Sequence, residues 1–311
     1  MQKSSFVTGL LNSDEKTIAE YLATWDDLNV LFKTLDTSWD FVSQLWKSDR
    51  EIKRDNKIAF KTKVDEYLDD YTKSELHTLL FKNFQEIFDM DTTIISSQRE
   101  LDDISCELEF EAIEFQKEFS SEEDELRTFS GNTFVSLRKY FLETMVEQFK
   151  DLDSSKQNKV LKEMVEKLNN LSPDELNKFK DKMNIDEVTS DSVKKILLGG
   201  GIYSMFAGAV GVIGFPAYLF LTSFIGGISS IIGITLPFGV YTGATSVMAF
   251  LSSWFLPLIL AGGWFFSNKY TKKLRKVFAV ASMVSISFQS YKDADSSKVN
   301  MFLSNYERLD F

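Results

Sequence analysis

Seventy-three consecutive residues, from Ile196 to Asn268, contain no Asp, Glu, Lys or Arg. Charged residues make up 26% of the chain, so such a run would arise by chance with a probability of roughly 10⁻¹⁰ if positions were independent. A stretch without ionic side chains is stable either in a lipid bilayer or inside a protein core. We call residues 196–268 the uncharged block, and we predict three parts of the chain: 1–189, 190–268 and 269–311.

The flanks of the block differ in charge. Residues 1–195 carry 42 acidic and 27 basic residues, a net charge of −15, whereas residues 269–311 carry 4 acidic and 8 basic residues, a net charge of +4. An acidic head without a basic stripe excludes nucleic acid as the partner. A lone cysteine and a polar N-terminus without a signal-peptide core place the head in the cytosol.

Few residues of this chain suit catalysis or metal binding. One histidine, His77, and one cysteine, Cys106, exclude a zinc site, an iron–sulfur centre and a disulfide framework. The acidic sequence Asp151–Ser155 opens like a calcium loop, but lysines occupy the sixth and twelfth positions, so we interpret it as a helix start. We interpret His77 as a helix-surface or core residue. We therefore predict no enzyme, no metal and no cofactor.

The head has the sequence pattern of an all-α domain. Glycine and proline are nearly absent from it, and apolar residues recur at helical spacing. The predicted helix starts are Asn12 with Glu15 as a capping box, Ser172 followed by Pro173 and Glu175, and Thr189 or Ser190. We predict that the last of these helices continues without a break into the uncharged block. The apolar stripes run over Ile18–Leu35, Leu101–Phe119, Phe134–Leu152 and Val160–Leu168.

Glycine and proline divide the uncharged block into three pieces. They are Ile196–Gly214, Phe215–Leu236 and Val240–Phe266, of 19, 22 and 27 residues. A bilayer crossing needs about 20 apolar residues, so three crossings fit by length, as do two crossings with a re-entrant segment. Basic residues flank both ends, and the positive-inside tendency then favours an even number of crossings and a cytosolic C-terminus. The flanking basic residues are Lys194, Lys195, Lys269, Lys272, Lys273, Arg275 and Lys276.

Small and aromatic residues in the block suit a membrane hairpin. Small residues at helical spacing let helix backbones approach in lipid, either to close the hairpin or to form a homo-oligomer. Tryptophans suit the level of the lipid headgroups. The candidate packing and turn residues are Gly208, Gly211, Pro237, Gly239 and Gly243, and the candidate interfacial aromatics are Trp254 and Trp264.

The C-terminal half resembles the bacterial YaaW-like family of uncharacterised proteins. The resemblance covers residues 170–290 and is carried by Thr235–Ser246, Gly262–Trp264, Lys272–Leu274 and Ser172–Leu176. It implies an architecture for this half of the chain and no particular reaction.

These patterns leave two hypotheses for function. The first is an all-α effector of the inner membrane that inserts a hydrophobic hairpin and permeabilises the bilayer or oligomerises in it, with a further protein partner for the acidic head. The second is a soluble helical bundle that buries the hairpin and acts as a chaperone or partner-binding module. For the apolar run 277–288, two placements stay open: an anionic membrane surface or the head.

Overall fold

The computed structural model describes residues 4–35, 61–90, 95–123, 133–200, 268–290 and 293–309, together with 216, 219–221, 223, 224, 227 and 228. Within these residues every regular element is an α-helix, which confirms the predicted all-α class. The helices are α1 (Ser5–Asn12), α2 (Glu15–Leu35), α3 (61–70), α4 (Lys73–Ile87), α5 (Gln98–Glu123), α6 (Phe134–Asp151), α7 (Ser154–Asn169), α8 (Pro173–Met183), α9 (Ser190–Leu198), α10 (Asn268–Ser287) and α11 (Ser296–Arg308).

Helix α8 begins where the sequence predicts. The Ser172 side chain accepts a hydrogen bond from the backbone N–H of Glu175, and the Glu175 carboxylate accepts one from the backbone N–H of Ser172 at 3.3 Å. Pro173 occupies the first helical turn, where its missing N–H costs nothing. Thr189 caps α9 in the same reciprocal way. Both predicted helix starts are confirmed. Each depends on hydrogen bonds among only four neighbouring residues, so the local sequence is enough to predict it.

The cap of α2 differs from the prediction. Asp14, not Asn12, accepts the backbone N–H of Thr17, at 2.8 Å, and α2 begins at Glu15. Asn12 is instead the last residue of α1, and its side-chain amide donates to the carbonyl of Gln289 at 3.3 Å. The predicted capping box at Asn12 is therefore wrong, because a separate short helix ends there.

The two ends of the chain share one core. Helix α1 packs on α10, which also packs on α4 and α5, and α11 packs on α4. The hydroxyl of Tyr306 in α11 donates to Gln85 Oε1 in α4 at 2.7 Å. Of the apolar run 277–288, Val280, Met283 and Ile286 are fully buried in this core. The run thus packs on the head, the second of the two placements that the sequence left open.

Helix α9 ends three residues into the uncharged block. Helix α9 stops at Leu198, the N–H of Gly199 donates to the carbonyl of Lys195 at 2.8 Å, and Gly200 has a φ of 79°. A positive φ suits glycine and does not continue a right-handed helix. The prediction that this helix continues through the block without a break is therefore wrong, because the helix covers only the first three residues of the block. No helix in the described part of the chain combines the length and the apolarity that a bilayer crossing requires.

Candidate functional site: a docked piece of the uncharged block

A piece of the uncharged block lies inside the head. We call it the docked segment, and its described residues are Pro216, Leu219, Phe220, Leu221, Ser223, Phe224, Gly227 and Ile228. All eight are helical, and all are buried except Leu219, which is half-buried. Phe220, Phe224 and Ile228 recur at four-residue intervals and therefore share one helix face.

Aromatic rings hold this face against the head. The Phe224 ring meets Phe149 of α6 edge to face, with centroids 5.8 Å apart and planes at 68°. The Phe220 ring lies 5.6 Å from Phe179, the single fully buried residue of α8. Such pairs add about 0.5–1.5 kcal/mol each beyond the burial of the rings. The docked segment is thus anchored to two helices of the head.

Gly227 allows the docked segment to approach α7 closely. A Cβ at this position would lie 2.9 Å from Val160 Cγ1 and 3.4 Å from both Cα and Cβ of Val160. A larger side chain would therefore push the segment away from α7. No role was predicted for Gly227 from the sequence, because a glycine in an apolar run does not indicate which residue it packs against.

One polar atom weakens the docked arrangement. Ser223 is fully buried, and its hydroxyl has no hydrogen-bond partner among the described residues. Leaving a buried hydroxyl unpaired costs about 1–3 kcal/mol. The contact between the docked segment and the head is accordingly less favourable than its apolar area alone implies.

The helices around the docked segment differ in charge from the rest of the head. Residues 134–183, which form α6 to α8, carry 10 basic and 9 acidic residues, a net charge of +1. Residues 1–133 carry 15 basic and 30 acidic residues, a net charge of −15. The acidic character predicted for the head therefore resides in residues 1–133.

Two of the predicted membrane-flanking residues contact the head. The Lys194 ammonium donates to Gln157 Oε1 at 2.9 Å. Lys276 pairs with Asp89 at 3.5 Å, and its ammonium lies 5.6 Å from the ring centroid of Phe88. Lys195 is exposed near the end of α9, Arg275 is half-buried on α10, and Lys269, Lys272 and Lys273 also lie on α10.

The remaining predicted site residues are not placed by the structure. Gly208, Gly211, Pro237, Gly239, Gly243, Trp254 and Trp264 lie outside the described residues. Asp153, part of the calcium-like sequence, caps α7 by accepting the N–H of Lys156 at 2.9 Å, as the interpretation as a helix start predicted. The described residues contain no group of three or more His, Cys, Asp or Glu that could hold a metal ion.

His77 is a buried core residue. Its Nε2 lies 3.2 Å from the carbonyl oxygen of Ser13, so the neutral ring donates from this nitrogen. Burial, together with the positive charges of Lys73 and Lys298, lowers the pKa of His77 to about 4, although the hydrogen bond to Ser13 opposes this decrease. Of the two placements that the sequence left open for His77, a helix surface or the core, the structure shows the core.

This burial predicts a loss of stability in acid. The unfolded chain binds a proton at His77 near pH 6.5 and the folded protein only near its pKa of about 4. The free energy of unfolding should therefore fall by about 2 kcal/mol between pH 7 and pH 5 from this group alone. Urea denaturation at both pH values checks the result. His77→Gln, which keeps a donor for Ser13 and does not titrate, should reduce this fall, and an equal fall in both proteins would contradict it.

Comparison of the chain with protein-family models, with curated proteins and with solved structures gives no match. The resemblance to the YaaW-like family therefore stays a prediction. The fold and the docked segment define the molecule only as an all-α protein with an uncharged block partly held in its head.

Proposed function

We propose that this chain is a non-enzymatic, membrane-associated helical protein of the inner membrane, whose uncharged block inserts into the bilayer while the head and the C-terminus stay in the cytosol. The absence of any ionic side chain over residues 196–268 is the observation that carries the proposal. A head of roughly 190 residues would otherwise have to enclose the whole block. A lipid bilayer can surround such an uncharged stretch without any need for the head to enclose it.

The packing of the flanking helices supports an even number of crossings. Helix α9, before the block, packs on α7, and α10, after it, packs on α1, α4 and α5. The two groups are joined, because α5 packs on α6 and the Gln157 amide of α7 donates to the Phe149 carbonyl of α6 at 3.0 Å. Both ends of the block therefore belong to one packed set of helices, which supports a head and a C-terminus on the same side of the bilayer. A hairpin of this kind suits oligomerisation or permeabilisation.

A second function is favoured by the docked segment itself. Burial of Phe220 and Phe224 against the head is also what a soluble bundle with an enclosed hairpin would show. Such a bundle would act as a chaperone or partner-binding module. The two functions differ in where the intact protein resides when no detergent is present.

Alkaline carbonate extraction of cells that express the full chain distinguishes them. We expect the protein in the membrane pellet. Leu251→Arg, near the middle of the third piece of the block, should shift protein into the supernatant, because a central arginine costs about 2.5–3.5 kcal/mol of insertion. Leu251→Ala is the matched control and should stay in the pellet. Wild-type protein found wholly in the supernatant would contradict the membrane proposal and favour the soluble bundle.

A further inference from the structure

The docked segment belongs to a piece of chain that is long enough to cross a bilayer. Phe215–Leu236 has 22 uncharged residues, a helix of about 33 Å, against a hydrocarbon core of about 30 Å. The buried Phe220 and Phe224 rings lie in the first half of this piece. Their side chains cannot pack on the head and be surrounded by lipid at the same time. Docking and crossing are therefore mutually exclusive for these residues.

We infer that the contact of the docked segment with Phe149, Val160 and Phe179 is a releasable latch, and that an anionic lipid surface is the partner that opens it. The inference rests on the proposed membrane function and adds its regulation. In the latched protein, Phe220 and Phe224 are held in the head core. In the released protein, they move into hydrocarbon, and the head remains folded.

The latch contact combines a close fit with a built-in weakness. Gly227 brings the segment against Val160, and two ring pairs fix it, so its geometry is specific. The Ser223 hydroxyl, buried without a partner among the described residues, opposes docking.

The charge distribution selects the lipid surface. The helices that hold the latch, α6 to α8, have a net charge of +1, whereas residues 1–133 have a net charge of −15. An anionic bilayer repels residues 1–133 and does not repel α6 to α8. The helices that hold the latch are therefore the part of the head that such a surface can approach.

A disulfide across the latch tests the inference. The Cβ position at Gly227 lies 3.4 Å from Val160 Cβ, close to the range of about 3.5–4.5 Å in disulfides, and the cysteine also removes the Val160 methyl that stands in the way. The test protein is the full chain with Cys106→Ser, Val160→Cys and Gly227→Cys. The matched control keeps Gly227 and replaces Gly227→Cys with Lys162→Cys, an exposed position on α7. Positions 160 and 162 are two residues apart on one helix and point to different sides, so cysteines there should not cross-link.

Each protein is made by cell-free synthesis without detergent, oxidised, and mixed with vesicles of phosphatidylglycerol and phosphatidylcholine in equal parts. Carbonate-resistant binding to the vesicles is then measured with and without reductant. We expect the latch pair to insert only after reduction and the control pair to insert in both conditions. Equal insertion of the oxidised and reduced latch pair overturns the latch and leaves the membrane function standing. Failure of the wild-type chain to insert overturns both.

A second pair of variants tests the latch from the head side, without changing the block. Phe179→Ala removes a ring that holds Phe220, and Phe302→Ala removes an equally buried ring from α11, which packs on α4. At limiting lipid we expect Phe179→Ala to raise the inserted fraction at least threefold and Phe302→Ala to leave it unchanged. Equal insertion by the two variants would overturn the latch. Equal insertion of wild-type chain into phosphatidylcholine alone would overturn the role of anionic lipid.

Discussion

Replacing Gly9 with alanine should lower the free energy of unfolding by about 3 kcal/mol, the upper part of the usual range for overpacking. Gly9 lies in α1 against α10. An added Cβ would overlap the carbonyl oxygen of Ile286 and lie 2.8 Å from its carbonyl carbon and 3.0 Å from the Cα of Ser287. All three are backbone atoms, which cannot rotate away, so the two helices would have to separate. Urea denaturation followed by far-ultraviolet circular dichroism measures the change.

The direction of this change is informative, because helix propensity predicts the opposite. Alanine in place of a mid-helix glycine gains about 1 kcal/mol where nothing lies opposite. Thr8→Ala is the control: the Thr8 hydroxyl donates to the Ser4 carbonyl at 2.8 Å, within the same turn, so its loss should change stability by less than about 1 kcal/mol. A Gly9→Ala protein as stable as wild type would show that α1 does not approach α10 so closely.

Local features of this fold are readable from the sequence. Ser172, Pro173 and Glu175 define the start of α8 through bonds between residues three apart, and the Phe134–Leu152 stripe marks the buried face of α6. Such features depend on the chain within one or two helical turns. The same reasoning placed a cap at Asn12, where the side chain instead reaches Gln289 in a distant part of the chain.

Features that depend on distant partners are not readable in this way. The pairing of α1 with α10 joins residues more than 250 positions apart. Neither segment has a sequence feature that indicates which helix it packs on. The same holds for the docked segment, since an uncharged run is equally suited to lipid and to a protein core. What the structure adds is the identity of the contacts: Phe220 meets Phe179, and Phe224 meets Phe149.

Replacing Glu109 with leucine should destabilise the head by about 3–5 kcal/mol, because it leaves three donors at the start of α1 without their acceptor and removes the negative charge that offsets the buried charge of Arg138. Glu109 Oε1 accepts the hydroxyls of Ser4 at 2.9 Å and Ser5 at 3.1 Å and the N–H of Phe6 at 2.9 Å. This carboxylate thus satisfies the first turn of α1 and complements its dipole. Burial raises the pKa of Glu109, and the hydrogen bonds oppose that rise.

Arg138 makes this site more costly to disrupt. Its guanidinium is buried 4.9 Å from the ring centroid of Phe288, and its Nε and one terminal nitrogen have no hydrogen-bond partner among the described residues. Burial lowers the pKa of Arg138 to about 10, although the charge of Glu109 opposes this decrease. Removing Glu109 therefore leaves a buried positive charge without the acidic group that offsets it.

A double-mutant cycle separates these contributions. Glu109→Leu and Arg138→Met are each expected to destabilise the protein strongly, and the double variant should lose about 1–3 kcal/mol less than the sum of the two, because neither charge is then left alone. Urea denaturation of the four proteins at pH 7 gives the coupling energy. Additive effects on the free energy of unfolding would mean that the two charges do not interact. Glu109 would then act on α1 alone, and the buried arginine would depend on the Phe288 ring.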